Sequence, residues 1–144
     1  MSAEQNKALI RRFYEEVWGK GNVDVADEVF AADYVRHDLR PGNPLPGPAG
    51  QKKIASDFRA AFLDLQFTLE LLVADADMVV GRETATGTNT GQWGNIPPTG
   101  KPAKFSAVNI FRIANGKVVE IWNHGDDLGL MQQLDAPIYA GSHR

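Results

Sequence analysis

The sequence predicts an α+β fold, with helices first and a mostly antiparallel sheet after them. Two observations carry this prediction. Up to about residue 63 the apolar positions recur at helical spacing, whereas from Gln66 onward they alternate with polar ones. The later segments are punctuated by turns, of which Asn115-Gly116 is the strongest, because both residues tolerate the positive φ of a type I′ hairpin. Helices segregated from a meander of strands define the α+β class.

The first element is a helix over about Ala3–Trp18, with Ile10, Phe13, Tyr14, Val17 and Trp18 on one face and Gly19 and Gly21 ending it. A short second helix is expected near Val23–Phe30, capped by Asn22, and a short strand at Tyr34–His37. Pro41–Pro48 holds four prolines in eight residues, which forbids a helix and predicts a stiff surface loop, either shaping the rim of a site or serving as a spacer. A third helix follows over Gly50–Leu63, with Ile54, Phe58, Ala61 and Phe62 on its buried face. Phe67, Leu69, Leu71 and Val73 then share one face of a strand that turns at Asp75-Ala76-Asp77 into a second strand, Met78–Asn89. A loop over Gly91–Pro102 leads to strands at Ala103–Ala114 and Lys117–Asn123 and to a closing helix around Leu128–Leu134. A curved sheet crossed by helices encloses a concave pocket, the usual place for a small ligand.

A chain of 144 residues is sized for one domain, spanning 1–144. Cysteine is absent, which excludes disulfides, thiolate metal sites and a cysteine nucleophile and fits the reducing cytoplasm, the expected location. No apolar run approaches the ~18 residues of a membrane span, and Met1–Lys7 lacks the apolar core of a secretory signal. Fifteen Lys and Arg against eighteen Asp and Glu, with no basic block, argue against a nucleic-acid partner. No His-x-His or His-x₃-His pair suggests a metal site, and no phosphate-binding, dinucleotide-binding or nucleophile-elbow motif is present. Gly81-Arg82-Glu83 and Gly87 read as ordinary strand residues.

Several side chains are candidates for a site. Asn109 lies mid-strand on the face of Phe105, Ala107 and Phe111, where an unpaired amide costs roughly 1–3 kcal/mol and so needs a ligand or a polar partner. His37 and His124 are two of three histidines and can donate to a carbonyl or move a proton near neutral pH, or serve the structure alone. Alternation puts Glu120, Trp122 and His124 on one face of the last strand and Val119 and Ile121 on the other, leaving open which face meets the pocket. Trp93 is placed to cover a ligand or plug the barrel end, and Tyr14 to present its phenol at a pocket edge or to join the core with its hydroxyl at the surface. Asp126 and Asp127 stand where the last helix needs an N-cap.

The segment Gly116–Leu134, GKVVEIWNHGDDLGLMQQL, resembles the SnoaL-like polyketide cyclase and ester cyclase family of the nuclear transport factor 2-like superfamily. Ile96–Lys101, Phe111–Lys117, the helix Phe13–Trp18 and the segment Tyr34–Asp38 share the resemblance. It implies a cone-shaped α+β barrel and an enzyme, free of cofactors, that closes a ring in a hydrophobic, aromatic polyketide-type molecule by aldol chemistry, as in antibiotic biosynthesis. It implies Asp126 as the catalytic acid/base, which leaves Asp127 as the preferred cap; His37, Asn109, His124, Trp93 and Tyr14 remain the candidate substrate contacts read from the residues themselves. The alternatives are another tailoring step such as hydroxylation, and a non-catalytic ligand-binding protein. Two departures bear on this: Asn89 stands where relatives often carry His, and Gly125 where some carry Arg. β-Branched residues on the outer sheet face predict a homodimer or a dimer of dimers.

Overall fold

The computed structural model describes residues 2–38 and 47–136. Helix α1 runs Ala3–Phe13 and continues as a π-helical segment over Tyr14–Gly19; a 3₁₀ turn at Val23–Val25 precedes α2, Ala26–Val29. Strand β1 (Phe30–Asp38), helix α3 (Pro48–Ala61), strands β2 (Gln66–Asp75), β3 (Met78–Thr88), β4 (Pro102–Ala114) and β5 (Lys117–Gly125), and helix α4 (Asp127–Gln133) complete the chain. The sheet order is β1-β5-β4-β3-β2, antiparallel except that β1 runs parallel to β5. Pairing with β5 extends β1 on both sides of the short strand expected at Tyr34–His37. Of the Pro41–Pro48 loop, all but Gly47 and Pro48 lies outside the described residues.

Local signals account for most boundaries. Ser2 caps α1 in a reciprocal capping box with Gln5. Asn22 precedes its short helix but makes no capping bond, donating instead to Glu16 at 3.3 Å. Asn115 and Gly116 take φ values of 53° and 76°, both positive as a type I′ turn requires.

The inner face of the sheet and the helices enclose one apolar cluster built on Ile10, Phe13, Tyr14, Val17, Phe30, Val79, Phe111 and Ile121. A second, around Phe62, Ala103, Leu130 and Leu134, joins α4 to the end of α3. Two bulges correct the alternation expected from sequence. A register shift between Leu69 and Leu71 sends Leu71 and Val73 outward, 52% and 47% exposed, while Leu72 and Ala74 pack on the core. A second shift between Arg112 and Ile113 buries Val118 and Ile121, so Val119 does not share the face of Ile121.

Asn89 closes the loop after β3. Its side chain donates to Gly91 O at 2.8 Å and accepts from Thr99 N and Oγ1, both at 2.9 Å; its own N–H and C=O pair with Lys101 and Gly100. It is fully buried, so its amide belongs to the loop and not to the rim of a site. Replacing Asn89 by Ala should cost about 1–3 kcal/mol, because it strands buried donors and acceptors; urea unfolding of the two proteins checks this.

Candidate active site

Phe13, Trp18, Phe58, Phe67, Phe105 and Ile121 wall a cavity between the helices and the inner face of the sheet. Its polar lining comes from Glu83 on β3, Asn109 on β4, Asn123 on β5, Arg36 on β1, Gln51 on α3, and the consecutive Asp126 and Asp127 at the start of α4. Glu83 and Asn109 are buried, whereas Asp126 is exposed, so the cavity has a polar interior and an acidic open end.

The interior is organised by register. Asn109 pairs directly with Asn123 across β4–β5 and with Gly81 across β3–β4, which puts Glu83 diagonally beside it on the same face. Asn123 Nδ2 donates to Asn109 Oδ1 at 2.6 Å; Asn109 Nδ2 donates to Glu83 Oε1 at 2.6 Å and to the Tyr14 oxygen at 3.0 Å. Tyr14 reaches them because Gly81 has no side chain: a Cβ there would lie 2.6 Å from the phenol oxygen. The π-helical stretch also lets Tyr14 and Trp18 both stack on Phe67, each with ring centroids 5.6 Å apart. The regular helix expected through Trp18 is thus widened where it meets the cavity wall.

Asp126, not Asp127, is the N-cap of α4. It accepts from Gly129 N at 2.9 Å, and its own N–H is held by Ser106 O at 3.0 Å. Gly129 permits this, since a Cβ there would collide with the Asp126 carboxylate. Asp127 is the first helical residue and also lines the cavity. The Gln51 amide nitrogen is buried near the Tyr34 hydroxyl and makes no close hydrogen bond among the described residues.

The remaining expected contacts lie elsewhere. His37 and His124 lie on the strand face opposite Arg36 and Asn123 and do not line the cavity. The His37 ring stacks on Trp122, centroids 5.0 Å apart, and its Nε2 meets Glu120 Oε2 at 2.8 Å. His37 first, and then Arg112, hold the Glu120 carboxyl below the usual carboxylate range. Trp93 packs on Phe58 at 5.9 Å, behind the cavity wall. Tyr14 does not line the cavity but touches its lining through Asn109. Glu83 was the residue sequence reasoning passed over. Gly81 two positions earlier was the available signal, because a glycine inside a strand often marks a close approach.

A family model described as SnoaL-like polyketide cyclase matches residues 8–134. The chain belongs to this family. Its fold is shared with solved structures. The TsrD protein of Streptomyces laurentii superposes with a TM-score of 0.83 at 26% identity, over 95% of this chain and 99% of that one. A candidate polyketide cyclase from Acidithiobacillus ferrooxidans is 34% identical, TM-score 0.76, over 94% and 98%. AclR of Streptomyces galilaeus, described as a candidate hydroxylase, is 26% identical, TM-score 0.80, over 93% and 98%. The comparison with curated proteins gives no match. The α+β barrel of the nuclear transport factor 2-like type, with N-terminal helices on a curved, mostly antiparallel sheet, is therefore the fold of this SnoaL-like chain.

Burial first, and then the Glu83 carboxylate, raise the Tyr14 phenol far above its ordinary value of 10.0. The unfolded chain releases this proton near pH 10 while the folded one keeps it. That stabilisation is complete below pH 10 and declines as pH rises, by up to about 1.4 kcal/mol per pH unit. Tyr14→Phe should therefore flatten the alkaline fall of the melting temperature; Tyr34, whose phenol burial also raises, keeps its own contribution. Melting curves from about pH 8 to about pH 11 measure the difference.

Proposed function

We propose that this SnoaL-like protein is a cyclase for a flat, hydrophobic, polyketide-type molecule, with Asp126 as the acid/base of an intramolecular aldol reaction. The observation that carries it is a carboxylate held in place by Gly129 N–H on the lining of an aromatic-walled cavity. The carboxylate removes a proton from a carbon α to a carbonyl, and the enolate carbon attacks a second carbonyl of the same molecule. One C–C bond forms, the carbonyl π pair becomes an alkoxide, and the protonated Asp126 returns the proton to it. Atoms and electrons balance without an oxidant or a reductant. Arg36 and the Gln51 amide line the same cavity and supply donors for the developing oxygen charge. The likeness to a candidate hydroxylase favours a second reading, in which a related substrate is hydroxylated with an external oxidant and reductant.

Asn keeps the cap that Gly129 needs but loses the titratable group. Asp126→Asn should lower ring closure of an anthraquinone β-keto ester by about 10²–10⁴-fold with little change in melting temperature. Full activity in this variant overturns the acid/base role. Gly129→Ala should lower turnover as well, because the new methyl displaces the carboxylate. Turnover seen only with oxygen and a reductase favours the hydroxylation reading, and binding without turnover under either condition favours a ligand-binding protein.

The outward Leu71 and Val73, with exposed Val35 on the other edge strand, support the homodimer reading for the outer sheet face. Light scattering should give a dimer mass for the wild type and a lower one for Leu71→Glu.

A further inference from the structure

We propose that Gln51 is a specificity-determining residue: its side-chain amide donates a hydrogen bond to a neutral carbonyl oxygen on the aromatic ligand in the cavity. The inference rests on the reading of the cavity as a site for a flat hydrophobic molecule, and adds which group that molecule carries before any charge develops on it. Gln51 is 1% exposed, lies on α3 and lines the cavity. Its Nε2 is buried and makes no close hydrogen bond among the described residues. The neighbouring Tyr34 hydroxyl is in the same condition. Buried polar groups are almost always paired, and one left without a partner is costly.

These two groups cannot satisfy each other. The amide nitrogen carries two N–H groups and the phenol one O–H, so an amide that closes on the phenol oxygen still has an N–H to spare. A helix that needed only packing here would carry an apolar residue at no such cost, as Ile54 and Phe58 do one and two turns further along the same cavity wall. An N–H donor selects an acceptor. Among the described residues, the lining carries the carboxyl groups of Glu83, Asp126 and Asp127 against the guanidinium of Arg36, which disfavours an anionic oxygen. The aromatic walls favour a neutral flat ring. A ketone or quinone carbonyl on such a ring meets both demands, since it accepts, brings no proton of its own and has no charge. A hydrocarbon of the same shape fits the walls but leaves the donor unpaired, the condition under which a site rejects an analogue.

The test compares 2-acetylnaphthalene with 2-isopropenylnaphthalene, in which a CH₂ group of the same shape replaces the carbonyl oxygen, by equilibrium dialysis. Wild type should bind the ketone about three- to tenfold more tightly, the range of one hydrogen bond between neutral groups. Infrared spectra of the bound ketone should place its carbonyl stretch below the value in cyclohexane, as a hydrogen-bonded carbonyl requires. Gln51→Met keeps the length of the side chain and removes the donor; it should bring the preference below about twofold, return the stretch toward the cyclohexane value and leave binding of the hydrocarbon nearly unchanged. Gln51→Leu is the second variant and should lose the preference too. Gln51→Met should melt no lower than wild type, because the amide it removes is not paired within the fold. A variant that melts markedly lower or fails to fold shows the amide to be holding the helix and overturns the assignment. A preference retained in both variants overturns it as well, as does wild-type binding of both compounds without preference; in that last case the aromatic-ligand reading of the cavity stands. If wild type binds neither compound, that reading fails and the Gln51 inference fails with it.

Discussion

The amide of Asn109 is the interaction on which the rest of the site depends. It accepts from β5 through Asn123 and donates to β3 through Glu83 and to the first helix through Tyr14. Three strands and a helix are thus tied at one buried point with polar bonds, inside a core that is otherwise apolar. Such a network is costly when incomplete and specific when satisfied, because each geometry is fixed by the next group along. It fixes the Glu83 carboxylate on the cavity lining at the same time as it holds the helix on the sheet.

Around that point the fold divides its labour. Phe13, Phe67, Phe58 and Phe105 supply non-directional burial, which suits flat molecules but does not orient them. Orientation has to come from the few polar groups: Glu83 and Asn109 inside, Arg36, Gln51, Asp126 and Asp127 elsewhere on the lining. Under the proposed aldol chemistry Asp126 has two tasks at once, since the N–H of Gly129 that it caps also holds its carboxylate still. Structural capping and the proposed acid/base role are therefore not rival descriptions of this residue. The pairing of Asp126 with a glycine three residues on is what makes them compatible.

The two histidines show how a face is decided. His37 and His124 have the chemistry of site residues, yet the strands turn them to the outer surface, where His37 meets Glu120 and Trp122. One residue earlier in each strand, Arg36 and Asn123 line the cavity. A period of two makes each assignment hang on a single position, so chemical type says nothing about side. Asn89 shows the same limit for loops, since its amide is spent on closing residues 89–101 and on the Ala61 carbonyl.

Local chemistry was legible in the sequence alone: the helical stripe of Ile10, Phe13 and Val17, the Asn115-Gly116 turn, the placement of Asn109 among aromatics, and an aspartate at the start of the last helix. These depend on neighbours a few residues apart, which is the range over which propensity and periodicity act. Tertiary structure alone decided that Glu83 faces the cavity, that bulges turn Leu71 and Val73 outward, and that β1 lies parallel beside β5. Each of these is set by which strand pairs with which, and in what register. That choice is made by contacts between residues far apart in the chain, of which a single sequence carries no local trace.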